Sequence, residues 1–147
     1  MDYEFAYRYA AASRLDEGGG LELATSGGST PEGEAAHPFF FSGFMERPDV
    51  VAAGLLAVAR VARTRFYVPP GMVPTPGGGL TRIGMLDPVV TSTAEGLRFE
   101  SFSACCGVYA RLDVEASSLD ATHRAVGVTN VDVNQPLRAA LASLRAG

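Results

Sequence analysis

The segment of residues 97–114, LRFESFSACCGVYARLDV, constrains the fold more than any other part of the 147-residue sequence. Apolar and polar side chains alternate at both of its ends, and a period of two is typical of a half-buried β-strand. One antiparallel register joins opposite charges on the exposed face and apolar side chains on the buried face. Its facing pairs are Glu100 with Arg111, Arg98 with Asp113, Leu97 with Val114, and Phe99 with Leu112. The sequence therefore predicts a β-hairpin that carries Cys105 and Cys106 at its tip.

The clearest helix is predicted over residues 48–66. Pro48 suits the first helical position, and apolar residues recur at three- and four-residue spacing along one stripe. That stripe consists of Val51, Leu55, Val58, Ala62 and Phe66. Gly54 costs about 1 kcal/mol relative to alanine inside a helix, which predicts close packing at this position.

Four further segments are predicted to be strands. Weak alternation favours a strand at 3–9, which would pair as a hairpin with a second strand at 21–25. The others lie at 87–93 and 125–133. In the last of these the apolar phase shifts, which predicts a bulge near Thr129 and Asn130.

A final helix and two loops complete the predicted domain. Asn134 suits the N-cap position of this helix, and one apolar face follows it, formed by Leu137, Leu141 and Leu144. Residues 26–36 and 68–80 are rich in Gly, Ser, Thr and Pro, so both are predicted to be surface loops. Together the elements predict one α+β domain over residues 1–147, a mostly antiparallel sheet of about five or six strands with two helices packed on one face.

Composition and charge exclude several classes of protein. The formal net charge is −4, and residues 1–46 hold eight acids against two arginines. Because nucleic-acid domains are usually strongly basic, we expect at most weak DNA binding by this chain alone. No apolar run of about 18 residues is present, and the acidic N-terminus lacks the order of a signal peptide. With only two cysteines, which do not make a secreted disulfide scaffold, these features predict a cytoplasmic protein without a membrane segment.

The best candidate nucleic-acid site consists of Arg60, Arg63, Arg65 and Tyr67. Arginines bind phosphate, and an aromatic ring can stack on a base. The structural alternative is that these cations are favoured at the end of a helix by its dipole.

Two other groups are candidates for a functional site. Cys105 and Cys106 could provide a nucleophile with His123 as the base of a dyad, or form a vicinal disulfide as a redox switch. The structural alternative is two small buried side chains at a hairpin tip. A metal site needs three or four ligands with open spacing, so neither a metal nor another cofactor is expected in this chain. The consecutive side chains of Phe39, Phe40 and Phe41 cannot all be solvated, which favours a core position or a partner-docking surface.

Several blocks of the sequence, in order, resemble the N-terminal region of bacterial SWIM zinc finger family proteins. They are LATSGG (23–28), HPFFFSGF (37–44), VARTRFYVPPGM (61–72), LDPVVTS (86–92), LRFESFSACCGVYARLDV (97–114) and GVTNVDVNQPLRAAL (127–141). The SWIM motif itself, Cys-x-Cys followed by Cys-x-His, is not among residues 1–147, since the two cysteines are adjacent and no histidine lies two residues after a cysteine. The resemblance implies that this motif, with its zinc ion, would follow downstream of Gly147.

The same resemblance implies a biological setting. SWIM modules are associated with DNA binding and protein–protein interaction, including recombination and DNA repair. We therefore expect a non-enzymatic accessory or interaction domain that works through a protein partner, with DNA contacted mainly by the downstream zinc module. A small thiol enzyme or redox switch at Cys105 and Cys106, and weak direct DNA binding through the arginine cluster, remain the alternatives.

Overall fold

The computed structural model describes Tyr9 and residues 11–18, 20–64, 87–103 and 107–144. Within these ranges the chain forms ten strands, two α-helices and one 3-10 turn. In chain order they are β1 (Arg14–Leu15), β2 (Leu21–Glu22), β3 (Gly28–Thr30), β4 (Gly33–Ala35), β5 (Phe41–Met45), α1 (Pro48–Arg63), β6 (Val89–Thr93), β7 (Gly96–Phe102), β8 (Tyr109–Glu115), the turn Ala116–Ser118, β9 (Leu119–Arg124), β10 (Gly127–Asn130) and α2 (Gln135–Ser143). The predicted α+β class is confirmed.

A six-stranded antiparallel sheet is the centre of the fold. Its strand order is β4-β3-β10-β6-β7-β8, so β4 and β8 lie at its two edges. The predicted register of the β7–β8 hairpin is confirmed at all four pairs, including Arg98 opposite Asp113 and Glu100 opposite Arg111. The cysteines predicted at the hairpin tip lie outside the described residues.

Helix α1 covers the buried face of β7 and β8. The described residues of its predicted stripe, from Val51 to Ala62, are all buried, and Leu55 is fully buried. The hydroxyl of Ser101 on β7 donates a hydrogen bond to the Val58 carbonyl at 2.6 Å, which ties the sheet to the helix. Gly54 does pack closely, because a Cβ atom there would lie 2.9 Å from Leu112 Cδ1.

Helix α2 packs beside α1 and against β1. Asn134 is its N-cap, as predicted, and accepts a hydrogen bond from the Leu137 amide at 2.9 Å. Leu137 and Leu141 are buried, whereas Leu144 follows the end of the helix and is 39% exposed.

Several predicted boundaries and elements are wrong. Residues 26–36 are not a loop, because β3 and β4 form a hairpin there that adds to the sheet through β10. The strand that pairs with β2 is β1, which lies between the strands predicted at 3–9 and 21–25. Of the strand predicted at 3–9, the structure describes only Tyr9, and that residue is not in a strand. Helix α1 ends at Arg63, and Thr64 already has an extended backbone.

The bulge predicted in β10 is also absent from its pairing with β6, which continues without a register shift. Gly127, Thr129, Val131 and Val133 are buried in strict alternation, while Val128 is 40% exposed. The Thr129 hydroxyl donates to the Ser26 carbonyl at 2.9 Å, so a polar side chain is satisfied on the buried face. The apolar phase of the sequence shifts because the apolar Val128 lies on the exposed face of the strand, whereas the polar Thr129 lies on the buried face.

A bulge does occur in the separate two-stranded sheet that β5 and β9 form. The register shifts between Ser42 and Gly43. Gly43 has a φ of 157°, and a Cβ atom there would lie 2.1 Å from the Asp120 carbonyl oxygen. Only glycine fits this approach of the two strands.

Candidate functional site

Strands β5 and β9, together with Phe39 two residues before β5, form a surface that we call the aromatic ribbon. Phe39 is 62% exposed and Phe44 is 76% exposed. The Phe39 ring stacks on the His123 ring with a centroid distance of 4.9 Å and an interplanar angle of 17°. His123 Nε2 donates a hydrogen bond to the Phe39 carbonyl oxygen at 3.1 Å. The ribbon therefore holds one large aromatic side chain in place at the surface while leaving it accessible.

The three phenylalanines predicted as a partner-docking surface do not lie together on the surface. Phe40 belongs to the core and is 5% exposed. Its ring fills the space above Gly127, where a Cβ atom would lie 2.5 Å from the ring. Phe41 is half-buried against the core. Of these three side chains, only Phe39 is therefore largely exposed and available to a partner.

Phe44 is the most exposed aromatic residue among the described ones, and it is not among the site residues predicted from the sequence. In β5 it faces Asp120, whereas its neighbour Met45 faces Leu119 and packs against the core. The alternation of a strand through 42–45 would have indicated this outward position.

The predicted arginine site is divided by the structure. Arg60 is exposed, whereas Arg63 lies 3.6 Å from Asp87, whose side chain is only 10% exposed. Asp87 also accepts a hydrogen bond from the Tyr9 hydroxyl at 2.9 Å. Arg65 and Tyr67 lie outside the described residues. Arg63 thus joins the end of α1 to the start of β6.

Arg138 adds a further cation beside Arg63. Burial, and then the positive charge of Arg63, lower the pKa of the Arg138 guanidinium. Arg138 also donates a hydrogen bond to the Val133 carbonyl at 2.9 Å. The negative charges of Asp87 and Asp132 act in the opposite sense on this pKa, so the two arginines lie among as many aspartates.

The face of the sheet opposite α1 carries a network of charges. Arg98 Nε lies 2.7 Å from Asp113 Oδ1, and Arg111 Nε lies 2.9 Å from Asp113 Oδ2. The hydrogen bond from Arg98 lowers the pKa of the Asp113 carboxyl. The Tyr109 hydroxyl donates to Glu100, and this bond raises the pKa of Tyr109. Of these contacts, the Arg98–Asp113 pair joins opposite charges on the two strands of the hairpin, and the Tyr109–Glu100 hydrogen bond also crosses from β8 to β7.

The candidate thiol site lies only partly within the described residues. Of the proposed dyad, His123 is engaged by Phe39, and both cysteines lie outside the described part. No group of three or more potential metal ligands occurs among the residues that the structure describes. In the same ranges, no helix is both long enough and apolar enough to cross a membrane.

Comparison with known proteins leaves the family open: no family model, no curated protein and no solved structure matches this chain.

Proposed function

We propose that this chain is a non-enzymatic interaction domain that binds a protein partner through the aromatic ribbon. The setting is the one that the resemblance to SWIM zinc finger proteins implies, DNA-associated recombination or repair. In that setting a zinc module beyond Gly147 contacts DNA, and the present domain is the accessory unit.

The observation that carries the proposal is the exposure of Phe39 and Phe44. Aromatic residues dominate the binding energy of protein interfaces. The stack on His123 restricts Phe39 before any partner arrives, so less side-chain entropy is lost on binding. The close approach of the strands at Gly43 fixes the ribbon that carries Phe44.

Site-specific photo-cross-linking in the source cells tests this proposal. A photoreactive phenylalanine analogue replaces Phe44 in the full-length protein, and the control carries the same analogue at Ala53, an exposed position on α1. We expect discrete cross-linked species at position 44 that disappear when Phe39→Ser is added and are absent at position 53. Equal cross-linking at both positions, or none at position 44, would refute the proposal.

Direct DNA binding is the second candidate, because Arg63 and Arg138 lie close enough for their charges to interact. The decisive experiment is a salt titration of single- and double-stranded DNA binding by this chain and by a version extended through the zinc module. Phosphate contacts would appear as affinity that falls steeply with salt. The interaction proposal expects only the extended version to bind. Binding by this chain alone, abolished by Arg60→Ala with Arg63→Ala, would instead make the end of α1 the site.

The variants Cys105→Ser and Cys106→Ser distinguish the thiol alternative from the interaction proposal. The interaction proposal expects both variants to cross-link at position 44 as strongly as the parent protein. A loss of cross-linking in the folded variants would show that a thiol is required.

A further inference from the structure

Strand β8 offers a long free edge. It is the last strand of the six-stranded sheet, and no described strand pairs with its outer side. It runs for seven residues, from Tyr109 to Glu115. Edge strands of this length are templates for pairing with another chain unless they are covered or interrupted.

The hydrogen bonds at both ends of the hairpin establish which backbone groups point to this edge. The Ser103 amide donates to the Val108 backbone carbonyl at 2.8 Å, and the Ala116 amide donates to the Glu95 backbone carbonyl at 2.8 Å. Both pairs continue the β7–β8 register, and bonded pairs alternate along an antiparallel ladder. The even-numbered residues of β8 therefore bond to β7. The odd-numbered residues, Tyr109, Arg111, Asp113 and Glu115, direct their amides and carbonyls outward.

We infer that this edge pairs with the same edge of a second copy of the chain, in an antiparallel ladder with its two-fold axis at Leu112. Arg111 then faces Asp113 of the second copy, and Asp113 faces Arg111 of the second copy. Leu112 faces its own equivalent, and Ala110 faces Val114 on the helix side. Every facing pair is either oppositely charged or apolar, apart from Tyr109 with Glu115.

The charges select this register over its neighbours. A shift of the axis to Arg111 sets two arginines opposite each other, and a shift to Asp113 sets two aspartates opposite each other. An axis midway between two residues would set each odd-numbered residue opposite an even-numbered one. The backbone groups of the even-numbered residues already bond to β7, so this register could not form the ladder of hydrogen bonds. Like charges that face each other across strands are destabilising.

The space beside the edge suits the apolar side chains of a second copy. A groove of about 200 Å³ runs between β8 and the start of α1. Leu112, Val114 and Val50 are among its lining residues, and Val50 is 49% exposed. In the inferred register, Leu112 and Ala110 of the second copy lie on this side of the sheet. They would cover apolar surface that is otherwise in contact with water.

The strength of the dimer follows from the size of the contact. Stable interfaces bury about 1,600 Å² in total, and the edge of a seven-residue strand supplies less. Association will therefore depend on protein concentration. This inference does not depend on the aromatic ribbon, which lies on β5 and β9.

Charge reversal with complementation tests the register. In Arg111→Asp, both residue 111 and residue 113 are aspartates, and in Asp113→Arg both are arginines. Like charges would then face each other across the dimer, so each single variant should remain monomeric in sedimentation velocity. An equimolar mixture sets arginines against aspartates at both positions, and we expect it to associate as the parent chain does. Glu34→Arg lies on β4 at the opposite edge and should dimerise like the parent.

A second measurement needs no variant. Amide exchange of the parent chain should show protection of Arg111 and Asp113 that increases with protein concentration, while Ala110 and Leu112 remain protected throughout. A parent chain that stays monomeric up to millimolar concentration overturns the inference. It is equally overturned if the single variants dimerise like the parent, if the mixture of folded variants stays monomeric, or if exchange at Arg111 is independent of concentration.

Discussion

Asn134 joins three parts of the molecule through one side chain. Its Oδ1 accepts the Leu137 amide at 2.9 Å at the start of α2. Its Nδ2 donates to the Ser13 carbonyl at 3.0 Å and to Asp132 Oδ2 at 2.9 Å. Replacement by alanine, serine and aspartate separates the accepting half of the amide from its donating half.

The expected losses follow from these bonds. Loss of an N-cap costs about 1 kcal/mol, and loss of each donated bond costs about 1 kcal/mol. Asn134→Ala should therefore lower the free energy of unfolding by about 2 to 3 kcal/mol. Asn134→Ser keeps the cap and should lose about 1 to 2 kcal/mol. Aspartate is as good an N-cap as asparagine. Its carboxylate, however, cannot donate to the Ser13 carbonyl or to Asp132, and it would lie close to both of these oxygen acceptors.

The assay is urea denaturation followed by circular dichroism, at low protein concentration so that association does not contribute. At neutral pH we expect the free energy of unfolding to decrease in the order wild type, Asn134→Ser, Asn134→Ala. Asn134→Asp should be no more stable than Asn134→Ala. Acidification should stabilise Asn134→Asp relative to Asn134→Ala, because a protonated carboxyl can again donate to the neighbouring oxygen. If Asn134→Asp is as stable as the wild type at neutral pH, the donated bonds contribute nothing and this reasoning is wrong.

Three further predictions concern packing and charge. Gly54→Ala should stabilise the chain by about 1 kcal/mol in a Leu112→Ala background and by less in the parent chain, because the new methyl group meets the Leu112 side chain at 2.9 Å only in the parent; additive free energies of unfolding would contradict this. Gly127→Ala should cost about 2 kcal/mol or more in the same measurement, since the new methyl group meets a core phenylalanine ring at 2.5 Å and a backbone oxygen at 2.6 Å; a neutral result would show that the core yields. The hydrogen bond from Arg98 lowers the pKa of Asp113 in the folded chain. Its carboxylate therefore stabilises the fold at pH values above the ordinary aspartate pKa, and this stabilisation is lost as the pH falls through the lowered pKa of the folded state. Asp113→Asn should therefore reduce the melting temperature slightly at neutral pH and not at strongly acid pH, with a smaller difference in high salt because the group is 42% exposed; a difference that persists in strong acid would point to another cause.

The elements that were predictable from the sequence are those whose information is local. The β7–β8 register follows from charges and apolar side chains on two adjoining segments, and all four predicted pairs occur. The cap at Asn134 and the buried stripe of α1 likewise depend on residues a few positions apart. Gly54 was informative because a glycine within a helix weakens it, which indicates a close neighbour.

The errors arose where distant residues decide the structure. Residues 26–36 have a loop composition, yet β3 and β4 form because β10 supplies the hydrogen-bond partners for β3. The predicted bulge in β10 was wrong because Thr129 is buried with its hydroxyl satisfied by Ser26, more than one hundred residues away in sequence. Of the candidate site residues, Arg63 was drawn into an ion pair with Asp87, which no local pattern predicts.

The sequence by itself determined the class of fold, the main hairpin and both helices, because periodicity and capping are properties of short segments. It also indicated an aromatic segment at residues 39–41 without deciding which ring would reach the surface. Tertiary structure alone decided that Phe40 enters the core over Gly127 and that Phe39 stacks on His123. The physical reason is that a side chain is buried or exposed according to the surfaces that other elements bring to it, and those elements lie far away along the chain.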